Sequence, residues 1–311
     1  MIFDQIRSLF KREPSHGPLV KKPMWFLDDT QWKKSREQLS EFVQPHLQSL
    51  RDRGFAIIPG NISAQQCDAV VADFEDVCRS NPEASKFRDQ HGLYDRLGSL
   101  HMVSEAARKI GFSPKVVAVL RAAFGRDLVN VGSLYFDKGS QQSIHRDTPA
   151  FFTNPLNHYF GVWTALEDVR PDSGPLVYFE KGHTVLPDIE LYGHEGVTVK
   201  NYNGKIERAC LSAGLKLTEH YPKKGDTLIW HPELPHGGAA IANPKLSRKS
   251  MVFHYIASGT PIYPPTPFFD SKMPLSNGPN FEAVSFGEFK AYPQGAPQFF
   301  QNRYEGNFEE V

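Results

Sequence analysis

The sequence predicts a mainly β protein with flanking helices, either a β-sandwich or a jelly roll, buttressed by helices from its N-terminal part. Strand-like segments rich in β-branched and aromatic residues follow residue 125 and are separated by turn residues such as those at 172–175. Before residue 125 the apolar residues recur mostly with helical period. The helices therefore precede the sheet in the chain.

Composition excludes several classes of protein. The chain has 311 residues with 35 basic and 35 acidic side chains, so it lacks the basic excess of a nucleic-acid-binding protein. No apolar run approaches the ~20 residues that a membrane span needs. The three cysteines are too few for a disulfide scaffold and predict free thiols in a reducing, cytoplasmic location. We expect a small-molecule substrate; the sequence does not indicate an oligomeric state.

The sequence of residues 1–125 predicts an N-terminal extension, followed by one strand and two helices. Residues 1–52 read as a polar, helix-containing extension, and the apolar run 54–60 reads as a buried strand closed by Pro-Gly. Ser63 and Gln66 form a capping-box pattern that opens the first helix. The second helix spans 113–125, with a serine at its start and a glycine near its end.

The first twelve residues carry a short helical pattern of their own. Their apolar side chains recur with helical period and are followed by Lys11 and Arg12, while Asp4 argues against a signal peptide. A short helix docked on the body is the favoured interpretation, and attachment of residues 1–12 to a membrane surface is the weaker alternative.

The remaining chain predicts one β domain with two additions. The strand-like segments are 128–136, 158–166, 176–179, 226–230 and 250–256. The polar stretch 188–224 reads as an insertion near one mouth of a barrel, and residues 259–311 read as a C-terminal wrap. We therefore expect a single domain over 1–311, with its core in 53–258.

A metal site is predicted from three residues. His145 and Asp147 lie two apart after a strand, so their side chains project to the same side. This pair alone is common, but His236 follows another strand and would supply a second imidazole. Two histidines and one carboxylate are the ligands of a facial triad, which leaves open positions on Fe(II).

An arginine near the last strong strand adds a second feature. Arg248 precedes this strand, and Ser250 follows two residues later on the same face. A buried guanidinium suits bidentate binding of a carboxylate, whereas a surface salt bridge is its commoner role.

Two alternatives concern other histidines. His231 and Glu233 could join His236 in a rival cluster, but the prolines within this segment make convergence of all three side chains unfavourable. His254 shares a strand face with Arg248 and could line the cavity, although a packed core histidine is the favoured interpretation.

Taken together, these motifs resemble the phytanoyl-CoA dioxygenase family of Fe(II)/2-oxoglutarate-dependent oxygenases. The order and spacing of the motifs carry the resemblance over most of the chain. The matching segments are 54–60, 63–66, 145–147, 162–168, 174–176, 225–231 and 235–237, with Asn243 and Arg248.

The resemblance implies a double-stranded β-helix, which is a jelly-roll barrel, and assigns the site residues. It implies that iron is bound by His145, Asp147 and His236. Arg248 would hold the distal carboxylate of 2-oxoglutarate with help from Ser250, and Trp163 would line the pocket of this cosubstrate.

The implied reaction is the hydroxylation or desaturation of an unactivated carbon in a small molecule, with O2 consumed and succinate and CO2 released. Related halogenases lack a carboxylate at the position of Asp147, so its presence disfavours halogenation. The alternative is a metal-binding jelly roll without oxygenase activity, either a cupin-like isomerase or a binding module. Such a protein would keep the three metal ligands without needing Arg248.

Overall fold

A computed structural model describes residues 19–273, 275 and 282–301, so the helix predicted within residues 1–12 lies outside the described residues. The helices are α1 (Asp29–Ser35), α2 (Val43–Arg53), α3 (Ala64–Ser80), α4 (Glu105–Gly111), α5 (Pro114–Phe124), α6 (Asp188–Leu191), α7 (Tyr202–Ser212) and α8 (Thr266–Phe269). The strands are β1 (Phe55–Ile58), β2 (Arg96–Gly98), β3 (Leu128–Phe136), β4 (Phe152–Thr153), β5 (Tyr159–Ala165), β6 (Leu176–Phe179), β7 (Leu217–His220), β8 (Thr227–Trp230), β9 (His236–Gly238), β10 (Ser250–Ala257), β11 (Ile262–Tyr263), β12 (Val284–Phe286), β13 (Phe289–Ala291) and β14 (Gln298–Phe300).

A large sheet forms the centre of the molecule. Its strand order is β1-β8-β5-β10-β3-β13-β12, and β2 joins β3 to β14. The four strands β8, β5, β10 and β3 pair antiparallel. Every residue of these four strands is buried, which explains why their sequences read as continuous apolar runs.

A small sheet faces one side of the large sheet. Its order is β7-β6-β9, and the segment at His145 extends it through a bridge to His236. An apolar cluster lies between the two sheets and includes Phe136, Trp163, Tyr178 and Trp230. The two sheets close the jelly-roll barrel that the sequence predicts, with its interior along this cluster.

Helices cover the other side of the large sheet. Phe74 of α3 stacks on Tyr135 of β3, with ring centroids 4.0 Å apart. The predicted capping box is present: the Ser63 side chain accepts from the Gln66 backbone N–H, and Gln66 accepts from the Ser63 backbone N–H. The prediction of helices that buttress the sheet is confirmed in α3 and α5.

Two regions are more regular than the sequence indicates. The stretch 188–224 contains α6, α7 and strand β7, which pairs with β6. After residue 259, β13 and β14 pair with β3 and β2, so this part of the chain adds strands to the large sheet. Among the described residues, none of the helices is long and apolar enough to cross a membrane.

Candidate metal centre

The backbone brings the two predicted ligand segments side by side. His145 N–H donates to His236 O over 2.9 Å, and His236 N–H donates to His145 O over 3.0 Å. Tyr178 of β6 pairs with His236 on its other side. Two residues 91 positions apart in the sequence are therefore held by the ladder of the small sheet.

The three predicted ligands form one cluster. The donor atoms of His145, Asp147 and His236 all lie within 4.8 Å of one another, and within the described ranges this is the only such group of three. His145 Nε2 lies 3.5 Å from Asp147 Oδ1, and His236 Nε2 lies 3.8 Å from Asp147 Oδ2. All three residues are buried.

Backbone carbonyls set the tautomer of both imidazoles. Nδ1 of His145 lies 2.8 Å from Ser143 O, and Nδ1 of His236 lies 3.0 Å from Leu234 O. A carbonyl oxygen only accepts, so each Nδ1 carries the proton and donates it. Each Nε2 therefore presents a lone pair to the centre of the cluster, as a metal requires.

The carboxylate of Asp147 is held in its charged form. Trp230 Nε1–H donates to Asp147 Oδ2 over 2.9 Å. Burial opposes the charge, but His236, His145 and His254 outweigh it and hold the pKa of Asp147 well below its usual value. Burial, reinforced by neighbouring His145, lowers the pKa of His236 to about 4. The site therefore combines an anionic oxygen ligand with a neutral imidazole.

Arg248 is a buried cation without a carboxylate partner. It is 3% exposed, and no Asp or Glu oxygen in the described part of the chain lies within 4.0 Å of its guanidinium. Its Nη1 donates to Ser250 Oγ over 2.8 Å, and its Nε has no hydrogen-bond partner. The rings of Phe136 and Trp163 each lie 5.6 Å from its Cζ. Burial lowers the pKa of Arg248 to about 10, and Glu167 partly offsets this.

Strand β10 connects this arginine with the cluster of predicted ligands. Alternate residues of a strand share a face, so Ser250 and His254 lie on the same wall of the barrel. His254 Nε2 lies 3.4 Å from Asp147 Oδ2. Its ring stacks on Phe151 with centroids 4.1 Å apart. The favoured interpretation of His254 as a packed core residue is thus incomplete, because it reaches the site.

The rival cluster does not assemble. His231 Nδ1 accepts a hydrogen bond from the backbone N–H of Glu233, and the carboxylate of Glu233 accepts from the backbone N–H of Asp188. Glu233 also lies 3.9 Å from Arg146 Nη1. The side chain of Glu233 is therefore engaged away from His236.

An ion-pair network adjoins the three predicted ligands. Arg146, between His145 and Asp147 in the chain, is completely buried and binds Asp188 Oδ1 over 3.0 Å. It also donates to the backbone oxygens of Gly182, Val185 and Leu186.

The charges of this network shift its pKa values. Burial opposes the cation, but Asp188 and Glu233 outweigh it and raise the pKa of Arg146. Burial and the nearby Asp188 raise the pKa of Glu233 to about 7, against the effect of Arg146. Sequence reasoning missed this network because no local pattern marks a long-range ion pair.

Comparison with known proteins identifies relatives. The sequence model of the phytanoyl-CoA dioxygenase (PhyH) family matches residues 50–250. Phytanoyl-CoA dioxygenase domain-containing protein 1 of Danio rerio is 22% identical over 281 residues, which cover 70% of this chain and 91% of that protein. Peroxisomal phytanoyl-CoA dioxygenase of Mus musculus is 25% identical over 206 residues, which cover 60% of each chain.

Solved structures share the fold. The non-heme alpha ketoglutarate dependent carbocyclase SnoK from nogalamycin biosynthesis has a TM-score of 0.58 at 15% identity, covering 82% of this chain and 97% of its own. EctD from S. alaskensis, solved with 2-oxoglutarate and 5-hydroxyectoine, has a TM-score of 0.58 at 16% identity, covering 86% and 90%. These likenesses confirm the predicted fold class.

Proposed function

Because the chain belongs to the phytanoyl-CoA dioxygenase family, we propose that it is an Fe(II)/2-oxoglutarate-dependent oxygenase. The observation that carries the proposal is the pairing of two features in one barrel. One is the buried cluster of His145, Asp147 and His236. The other is Arg248, a buried cation that lacks a carboxylate partner among the described residues.

The three clustered residues fit an iron ion. Two imidazole nitrogens and one carboxylate oxygen are the protein ligands of non-haem Fe(II) oxygenases, and they leave open positions for other ligands. His145 and His236 are already in the tautomer that directs Nε2 into the cluster. The ligands thus require no change of proton position before they bind a metal.

Arg248 fits the distal carboxylate of 2-oxoglutarate. An uncompensated buried charge is costly, so an anionic ligand that pairs with it gains a strong interaction. The planar guanidinium offers a bidentate fork, and its unpartnered Nε is one of the available donors. Ser250 orients the fork through its hydroxyl, and Trp163 forms one aromatic wall beside it.

The proposed reaction consumes 2-oxoglutarate, O2 and a substrate C–H group. When bound, the iron supplies the activation of O2 that is coupled to the loss of CO2 from 2-oxoglutarate. One oxygen atom enters succinate, and the other forms the substrate hydroxyl or, in a desaturation, leaves as water with the two substrate hydrogens. The protein residues hold the cosubstrate in place, and the buried site keeps water away from the reacting groups.

A small molecule with a hydrocarbon portion is the proposed substrate, and its hydroxylation or desaturation is the proposed outcome. An apolar cluster adjoins His254 and supports this class; it includes Phe151, Tyr159 and Ile256. Strands from both ends of the described chain enter the large sheet, which supports a single oxygenase domain.

Replacement of Arg248 tests the cosubstrate site. Arg248→Lys keeps the positive charge but loses the planar fork, so the KM for 2-oxoglutarate should rise about 10- to 150-fold, the equivalent of about 1.5–3 kcal/mol for hydrogen bonds to a charged group. Succinate formation, measured with Fe(II) against 2-oxoglutarate concentration in air, gives the KM. Arg53→Lys is the matched control, since Arg53 makes a two-bond fork to Glu180 on the surface. An unchanged KM in Arg248→Lys would contradict the assignment.

A further inference from the structure

The further inference concerns how the carboxylate of Asp147 is oriented, and it rests on the proposed function. We propose that Trp230 and His254 are positioning residues that hold Asp147 Oδ2, so that Oδ1 remains to bind the metal. Neither side chain is a ligand itself. Both act on the metal through Asp147.

The two oxygens of Asp147 have different surroundings. Oδ2 accepts the indole hydrogen bond of Trp230 at 2.9 Å and lies 3.4 Å from His254 Nε2. Oδ1 lies 3.5 Å from His145 Nε2, whereas Oδ2 also lies 3.8 Å from His236 Nε2. An oxygen that is bonded to the protein is less available to a cation, which favours a single-oxygen ligand through Oδ1.

The Trp230 indole has a dedicated space in the large sheet. It lies against Gly161 of β5, where a Cβ atom would come within 2.0 Å of the Trp230 ring atom Cε2. Only glycine at this position allows the indole to lie against the strand and still reach Asp147. The absence of a side chain at Gly161 thus maintains the hydrogen bond.

His254 is fixed in the same way by its neighbours. Its ring is stacked on Phe151 and meets the Trp230 ring edge-on, with centroids 5.8 Å apart and an interplanar angle of 83°. Its Nε2 is buried without a hydrogen-bond partner, and Asp147 Oδ2 lies 3.4 Å away. A desolvated ring nitrogen without a partner is costly, so a small shift that brings Nε2 into hydrogen-bond geometry with this oxygen would be favourable.

Strand geometry explains why His254 reaches the site. The pairing of β10 with β3 shifts by one residue between His254 and Tyr255. The extra residue of this irregularity is Val131 of β3, opposite His254 and Tyr255, and bulges occur next to active sites. On the neighbouring strands, His254 pairs with Gly132 of β3 and Gly161 of β5.

Metal affinity tests the inference directly. The purified protein is titrated with Co(II), which accepts nitrogen and oxygen ligands and requires no turnover, and the Kd is measured by calorimetry. Trp230→Phe and His254→Phe keep aromatic packing but remove the N–H groups, so the Kd should rise about 10- to 100-fold. His254→Gln retains a donor and should restore most of the affinity. Gly161→Ala should weaken binding in the same direction by displacing the indole.

Two controls separate the possible failures. Trp25→Phe removes an indole hydrogen bond to Ala122 O, at 2.8 Å in the helical layer, and should leave the Kd unchanged. A Kd within twofold of wild type for both Trp230→Phe and His254→Phe would overturn the inference. If Trp230→Phe does not fold, the inference is tested by comparing the Kd for Co(II) of His254→Phe with that of His254→Gln. Wild type that binds Co(II) no more tightly than His145→Ala would instead remove the proposed function, and the inference with it.

Discussion

Burial keeps the imidazole of His236 neutral, and neutrality is what a metal ligand needs. Its pKa falls to about 4, so the ring holds no extra proton near neutral pH. Burial has the same effect on His101, which lies in the core against β3 and is not among the predicted ligands. Its Nδ1 is 2.6 Å from Ser133 Oγ, and burial, helped by Arg108, lowers its pKa to about 4.

His101 therefore predicts a pH dependence of stability. Its pKa rises from about 4 in the folded chain to about 6.5 in the unfolded chain, so between these values the unfolded state binds more protons. The free energy of unfolding should fall as pH drops through this window, by up to about 3 kcal/mol from this residue. His101→Asn cannot take up this proton. Its free energy of unfolding, measured with urea at several values between pH 7 and 4.5, should therefore fall less steeply with decreasing pH than that of wild type. The same pH dependence of the free energy of unfolding in wild type and variant would contradict the prediction.

At the scale of elements, the Arg146 network ties the metal-ligand segment to the turn at 182–188 and helix α6. Residues 145 and 147 face the cluster, whereas Arg146 between them contacts the segment 182–188. There it joins Asp188, which also accepts from Tyr202 of α7 over 2.6 Å. One arginine thus connects the segment of the predicted ligands with the polar stretch 188–224.

Removal of Arg146 should destabilise the fold strongly. Arg146→Met leaves the fully buried Asp188 unpaired, so the free energy of unfolding should fall by about 3–5 kcal/mol. The double variant Arg146→Met with Asp188→Leu should lose less than the sum of the single changes, because the carboxylate of Asp188 is then no longer left unpaired. Urea unfolding measures all three variants. Arg79→Met, which breaks exposed ion pairs, should change little. Strict additivity of the two buried changes would disprove the coupling.

At the scale of the whole molecule, the strands were predictable because their patterns are local. Strands β5 and β10 are buried on both faces, so they appear as continuous apolar runs, and the start of α3 carries its own capping box. The sequence also indicates that His145, Asp147 and His236 come together, because each follows a strand-like segment. The contact of Trp230 with Asp147 joins residues 83 positions apart, and no local pattern encodes it. Helices α6 and α7 were missed because their segment is polar and weakly periodic.

Binding of Fe(II) and 2-oxoglutarate in the absence of oxygen shows whether the barrel holds both the metal and the cosubstrate. Chelation of Fe(II) by the keto acid gives a weak charge-transfer band in visible light. We predict this band in wild type and in His158→Ala, whose imidazole lies outside the cluster, and its loss in His236→Ala. Wild-type protein that binds iron in a one-to-one ratio but shows no band with saturating 2-oxoglutarate would contradict the proposed function.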